Sequence, residues 1–199
     1  MSLSRRLLHS ISPHSISPHS ISMLSLIALV AIGLLLWQQA PALAESSVGV
    51  PPARVGLKNP GHGPQTAVLA GGCFWGMELV FSHVRGVTDV VSGYAGGGAA
   101  TANYAASSSG LTDQAESVRI TYDPGRVSYT DLLRIYFSVA HDPTQVNRQG
   151  PDVGREYRSE IFALDDDQAR VARAYIDQLD HARVFDAPIA TKVSRLAES

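Results

Sequence analysis

"QTAVLAGGCFWGMELVF", residues 65–81, changes hydrophobic period partway along its length. The first half is a short apolar run of the kind that forms a buried strand, and the glycines after Ala70 stop it. Beyond them Trp75, Leu79 and Val80 or His83 recur at helical spacing, which predicts a helix with these residues as its apolar stripe. Cys73 therefore falls at a strand-to-helix junction, and it is the only cysteine in 199 residues.

The two periods keep alternating downstream. "VTDVVSGYAGG" (87–97) reads as a second strand stopped by glycines, and "ESVRITYD" (116–123) sets Val118, Ile120 and Tyr122 against polar neighbours as a third. Ser128 has the character of an N-cap for "YTDLLRIYFSVA", whose Tyr129, Leu132, Leu133, Tyr136 and Phe137 form one apolar stripe. "SEIFAL" (159–164) is a fourth strand. Asp165, Asp166 and Asp167 then supply negative charge where a helix N-terminus favours it, ahead of "QARVARAYIDQLDHARVF" (168–185). "APIATKV" (187–193) closes the pattern as a short strand. The expected fold class is α+β: a two-layer α/β sandwich, a ferredoxin-like plait with a mainly antiparallel sheet and helices on one face. Two long polar stretches, 98–114 and 141–157, fit no element, and loops of that length usually serve function or are disordered.

Upstream of the fold, residues 1–44 read as a signal peptide. Arg5 and Arg6 are followed by the Ser/Pro/His pentad repeat "HSISPHSISPHSIS", an apolar run from Ile21 to Trp37 and the small-residue end "APALA". Cleavage is expected after Ala44, giving an exported, periplasmic or lumenal protein. An uncleaved anchor through 21–37 is the alternative, since seventeen residues is near the lower limit for a span. Residues 45–64, rich in Pro and Gly, read as a linker or extended arm, leaving 65–199 as the domain. The whole chain carries a net charge of −2, and loss of the leader removes two arginines and no acid. No basic run or aromatic-interleaved basic patch points to nucleic acid. The remaining His62, His83, His141 and His181 have no paired spacing and no second cysteine, so no metal and no cofactor are expected.

A thiol at the start of a helix faces unpaired N–H groups and the positive end of the dipole, both of which favour thiolate. Free cysteine is only about 3 % ionised at pH 7, so such a position suits a nucleophile. An inert core cysteine is the competing reading, although an unpaired thiol outside the cytoplasm risks oxidation that chemistry would justify.

"GGCFWGMELVF", "SGYAGG", "AESVRITYDP" and "HDPTQVNRQGPDVGREYRSEIF", in that order, resemble the peptide methionine sulfoxide reductase A family from about residue 66 to 193. The resemblance implies reduction of the S epimer of methionine sulfoxide, free or in proteins. It makes Cys73 the nucleophile, Phe74 and Trp75 the apolar wall for the substrate's S-methyl group, and Glu116 with Tyr104 and Tyr157 the groups at the sulfoxide oxygen. Asp152 would orient the site through hydrogen bonds. These roles suit the chemistry: a sulfoxide sulfur is a poor electrophile until its oxygen accepts a proton or strong hydrogen bonds. Burial among aromatics keeps a glutamate protonated. Oxygen transfer leaves Cys73 as a sulfenic acid.

Three departures stand out. Members commonly read Thr-Gly-His-Ala-Glu where this chain has "TDQAE", so Asp113 adds a carboxylate expected to raise the proton affinity of Glu116. With no resolving cysteine, an external thiol, small or on a thioredoxin-like partner, is expected to reduce Cys73. The chain also stops at "KVSRLAES", where members usually continue with an aromatic and acidic segment. Glu78 is expected to complement the early turns of its helix, His141 to be a structural hydrogen-bonder, and the protein to act as a monomer. Two other classes stay open: a degenerate binder of methionine-rich or oxidised surfaces, and a cysteine hydrolase using His141 as base.

Overall fold

The computed structural model describes residues 47–196, so the leader and anchor expected within 1–44 lie outside the described residues. Strand β1 (Gln65–Gly71) leads into helix α1 (Phe74–Ser82), followed by β2 (Val87–Ala95), a short helix α2 (Tyr104–Ser107) and β3 (Ala115–Tyr122). Helix α3 (Tyr129–Ile135) runs into a π-helical turn, Tyr136–Ala140. The small hairpin β4 (Arg148–Gln149) and β5 (Asp152–Val153) precedes β6 (Ser159–Ala163), α4 (Asp166–His181) and β7 (Lys192–Arg195). Strands β2-β3-β1-β6-β7 form one sheet in that order, antiparallel except where β7 joins β6. The chain is thus a mixed α/β fold built on a sheet with packed helices.

The main core lies on one side of the sheet. Ala67 and Leu69 of β1, Val118, Ile120 and Tyr122 of β3 and Ile161 of β6 meet Met77, Phe81, Leu132, Leu133, Val171 and Tyr175 from the helices. The alternation of β3 and the stripe of α3 bury as their periods require. The predicted cap is present, with Ser128 in a capping box with Asp131; the acids 165–167 lie at the start of α4 as expected, and Asp165 is in addition its N-cap, accepting from the Gln168 N–H at 2.7 Å. A thinner cluster on the opposite face contains Val68, Ala70, Ala95, Ala115 and Phe162, against which Leu196 packs.

Three elements differ from expectation. Helix α1 buries Met77 and Phe81 and leaves Trp75 74 % and Leu79 63 % exposed, so the stripe read from sequence is its outer face. Both pairs have the same i, i+4 spacing, and only the position of the sheet distinguishes them. The last strand begins at Lys192 rather than Ala187, because its hydrogen bonds are set by pairing with β6. The stretches 98–114 and 141–157 hold short elements of their own: α2 and a 3₁₀ turn at Ala99–Thr101 in the first, the β4–β5 hairpin and a 3₁₀ turn at Arg155–Tyr157 in the second.

Residues 47–58 run without sheet pairing over the helices. Val50 is buried and its carbonyl accepts from Arg134 Nε at 2.8 Å, while the Pro51 carbonyl accepts from Tyr175 Oη at 2.6 Å. Farther along, the Lys58 N–H donates to Asp167 Oδ2 at 2.6 Å.

Candidate active site

Cys73 is the N-cap of α1, half-buried and outside any disulfide; its carbonyl accepts from the Gly76 and Met77 N–H groups. The thiol itself makes no capping bond. The first free donor of the helix, the Phe74 N–H, goes instead to Glu116 Oε2 at 3.0 Å. A helix start that the sequence assigns to the thiol thus seats a carboxyl group beside it, in keeping with the affinity of unpaired N–H groups for acceptors. The glycines before Cys73 are required by space. A Cβ at Gly71 would lie 3.0 Å from His141 Cγ, and at Gly72, where φ is +87°, one would lie 2.6 Å from the Gln149 side chain.

Glu116 comes from β3, is 5 % exposed and faces Tyr94 across the β2–β3 register. Burial raises its proton affinity above the usual carboxylate range; the Phe74 N–H opposes that shift, and the nearby charges of Asp152 and Glu156 add to it. Tyr157 ends its 3₁₀ turn with its phenol pushed up to about 12, by burial first and then by Glu116, Asp152, Glu156 and Tyr104. The Tyr94 phenol is raised by burial, Glu116 and Tyr104. These mutual influences locate Glu116, Tyr94, Tyr104, Tyr157, Asp152 and Glu156 around one spot. Tyr104, the first residue of α2, is 69 % exposed at its rim.

The Phe74 ring links the aromatic side of this spot. Its centroid lies 6.1 Å from Trp75 and 5.7 Å from Tyr94, both tilted. A cleft of about 340 Å³ lined by Val48, Val139, His141 and Phe185, among others, does not include Cys73.

Several expectations need correction. Asp113 points outward to Arg155, 2.5 Å away on the surface, and is no source of the shift at Glu116; Glu156 and Asp152 are. Its neighbour Gln114 is buried and fastens the loop by donating to the Gly98 carbonyl at 2.8 Å and Thr101 Oγ1 at 3.1 Å. Glu78, in the early part of α1, also reaches the sheet, where it accepts from Ser92 Oγ of β2 at 2.5 Å. His141 matches its structural reading. Its Nδ1 meets the Tyr136 carbonyl at 3.0 Å, its Nε2 meets Ser159 Oγ at 2.7 Å, and burial lowers its pKa to about 4. With both nitrogens engaged it is no base for Cys73, which removes the ground for a cysteine hydrolase.

Tyr94, Glu156 and Arg158 were not singled out from sequence. Tyr94 lies within "SGYAGG", but its place opposite Glu116 depends on strand register. A hint for Arg158 is the glycine at 96, where a Cβ would lie 2.7 Å from the Arg158 guanidinium.

The chain is similar to known proteins in sequence and in fold. The family model described as peptide methionine sulfoxide reductase matches residues 65–198. A relative from Synechocystis sp., peptide methionine sulfoxide reductase MsrA 2, is 62 % identical over 133 residues, covering 67 % of this chain. The matched stretch spans 62 % of that relative's length. Among solved structures, Mxr1 of Saccharomyces cerevisiae in reduced form aligns with a TM-score of 0.63 at 28 % identity, over 71 % of this chain and 82 % of that one. Methionine sulfoxide reductase A of Corynebacterium diphtheriae aligns with a TM-score of 0.58 at 30 % identity, over 80 % of this chain and 81 % of its own.

Proposed function

The chain belongs to the peptide methionine sulfoxide reductase family, and from that premise we propose that it reduces the S epimer of methionine sulfoxide, free or in proteins, through Cys73. The observation that carries this reading is the 3.0 Å bond from the Phe74 N–H to Glu116 Oε2, which sets a buried carboxyl one residue from the thiol. Burial and the negative neighbours Asp152 and Glu156 favour its protonated form.

In the proposed reaction the sulfur of Cys73 attacks the sulfoxide sulfur while Glu116 gives its proton to the oxygen. The hydroxyls of Tyr157 and Tyr104 donate hydrogen bonds to the same oxygen, and Tyr94, beside Glu116, helps exclude water. Phe74 and Trp75 receive the S-methyl group, an apolar contact that selects a thioether-sized substituent. The S–O bond breaks, oxygen passes to Cys73 as a sulfenic acid, and methionine leaves with its sulfur reduced by two electrons. Asp152 acts on the field of the site by holding negative charge near Glu116 and Tyr157.

Cys73 is the only cysteine in these 199 residues, and in the proposed cycle its sulfenic acid condenses with an external thiol, on a small molecule or a thioredoxin-like protein, to release water and form a mixed disulfide. A second thiol then frees Cys73. We read the strand order β2-β3-β1-β6 as a ferredoxin-like plait and residues 1–44 as a leader for export, which would make the reductant an extracytoplasmic one.

The test is single-turnover reduction of each sulfoxide epimer by pre-reduced protein, followed by mass analysis. One equivalent of methionine from the S epimer, none from Cys73→Ser, and an oxidised Cys73 trapped by added thiol are the expected results. Equal turnover of both epimers, or product from the serine variant, would sink the assignment.

A further inference from the structure

We propose that Arg158 is a positioning residue: by fastening two chain segments to one guanidinium, it fixes the separation between the Glu116 carboxyl and the Tyr157 hydroxyl. The inference rests on the reading of those two groups as donors to the substrate oxygen. Arg158 is 7 % exposed and donates four hydrogen bonds. Its Nη1 donates to both the Gln114 and the Arg155 carbonyls, each at 3.0 Å. Gln114 lies two residues before Glu116, with only the fully buried Ala115 between them. Arg155 lies two residues before Tyr157 and opens its 3₁₀ turn. One nitrogen therefore ties the acid-bearing segment to the phenol-bearing one. Nη2 donates to the Asp113 carbonyl at 2.8 Å, which extends the hold on the first segment.

The guanidinium is itself fixed. Its Nε donates to Glu160 Oε2 of β6 at 2.5 Å, and the other carboxylate oxygen accepts from Ser194 Oγ of β7 at 2.6 Å. Space for it is cut by Gly96, whose φ is +95° and where a Cβ would lie 2.7 Å from Nη2 and 2.9 Å from the Asp113 carbonyl. A buried ion pair alone adds little net stability over apolar packing. Here, however, both terminal nitrogens serve loop carbonyls beside the site, and a planar fork fixes their angles in a way that a single ammonium cannot.

The experiment measures kcat and KM for N-acetyl-methionine-S-sulfoxide amide with excess dithiothreitol, together with thermal melting. Displacing a reacting group by about 1 Å can cost up to roughly a hundredfold in rate, so Arg158→Lys is expected to lower kcat about ten- to hundredfold. KM should hold within about twofold, because the displaced groups act chiefly in the transition state. Guanidinium ion added to Arg158→Ala should restore part of kcat. Wild-type kcat in either folded variant, with only a lower melting temperature, would overturn the proposal. Should neither fold, Glu160→Asp keeps both charges and draws the guanidinium back by one methylene; reduced kcat at constant KM then supports the brace, and unchanged kcat rejects it. Glu116→Gln is measured alongside. A wild-type rate there removes the donor reading and the brace with it, whereas a slow Glu116→Gln beside a fast Arg158→Lys removes the brace alone.

Discussion

Replacing Glu116 by glutamine removes a transferable proton and little else. The glutamine carbonyl oxygen can still accept from the Phe74 N–H, a contact of 3.0 Å in the native protein, so the start of α1 and Cys73 stay in place. General acid catalysis contributes about 10²- to 10⁴-fold, and Tyr157 remains as a donor to the same oxygen, so the loss falls at the lower end. A hundredfold slower oxidation of Cys73 corresponds to about 2.7 kcal/mol of barrier. The assay is stopped-flow single turnover followed by Trp75 fluorescence, since that indole is 74 % exposed and belongs to the residue two positions after Cys73. The pH dependence adds a second readout. Burial raises the Glu116 proton affinity, so the active protonated form predominates at lower pH and the wild-type rate falls as pH rises through the folded-state value. That alkaline limb disappears in the glutamine variant. By the same linkage, Glu116 favours the fold below the ordinary carboxylate range, and this contribution is lost as pH rises through the folded value; the variant lacks that loss. A Glu116→Gln protein with the wild-type plateau and an intact alkaline limb would refute the reasoning.

Glu156→Gln should shift the alkaline limb to lower pH by removing a like charge near Glu116, whereas Asp113→Asn should leave it unmoved. The Asp113–Arg155 pair is exposed, so its loss should change stability by less than about 1 kcal/mol in denaturant melts; a shifted limb in Asp113→Asn would contradict this account. His141 is held neutral, with a folded pKa of about 4 against an ordinary value of 6.5. The unfolded chain therefore binds the extra proton first, and stability falls between these values on acidification, by up to about 3 kcal/mol. Urea titrations of wild type and His141→Gln should differ in slope over that window while reductase activity persists. Trp75→Ala should raise KM several-fold and leave the melting temperature nearly unchanged, because the side chain is mostly exposed; a large loss of stability would place the indole in the core instead.

What sequence determined by itself is what lies within a few residues. The alternation of Val118, Ile120 and Tyr122, the stripe from Tyr129 to Phe137 and the caps at Ser128 and Asp165 each express a local period or a local hydrogen bond. The lone Cys73 between a strand and a helix was legible for the same reason. Tertiary structure decided which way α1 faces, because Trp75–Leu79 and Met77–Phe81 have the same spacing and only the sheet selects between them. It also brought Glu116 to Phe74 across 42 positions, set Tyr94 opposite Glu116, turned Asp113 outward and drew Arg158 under two loops. Such pairings depend on strand register and on which side chain reaches a given unpaired N–H or carbonyl, and neither is encoded in the spacing of residues along the chain.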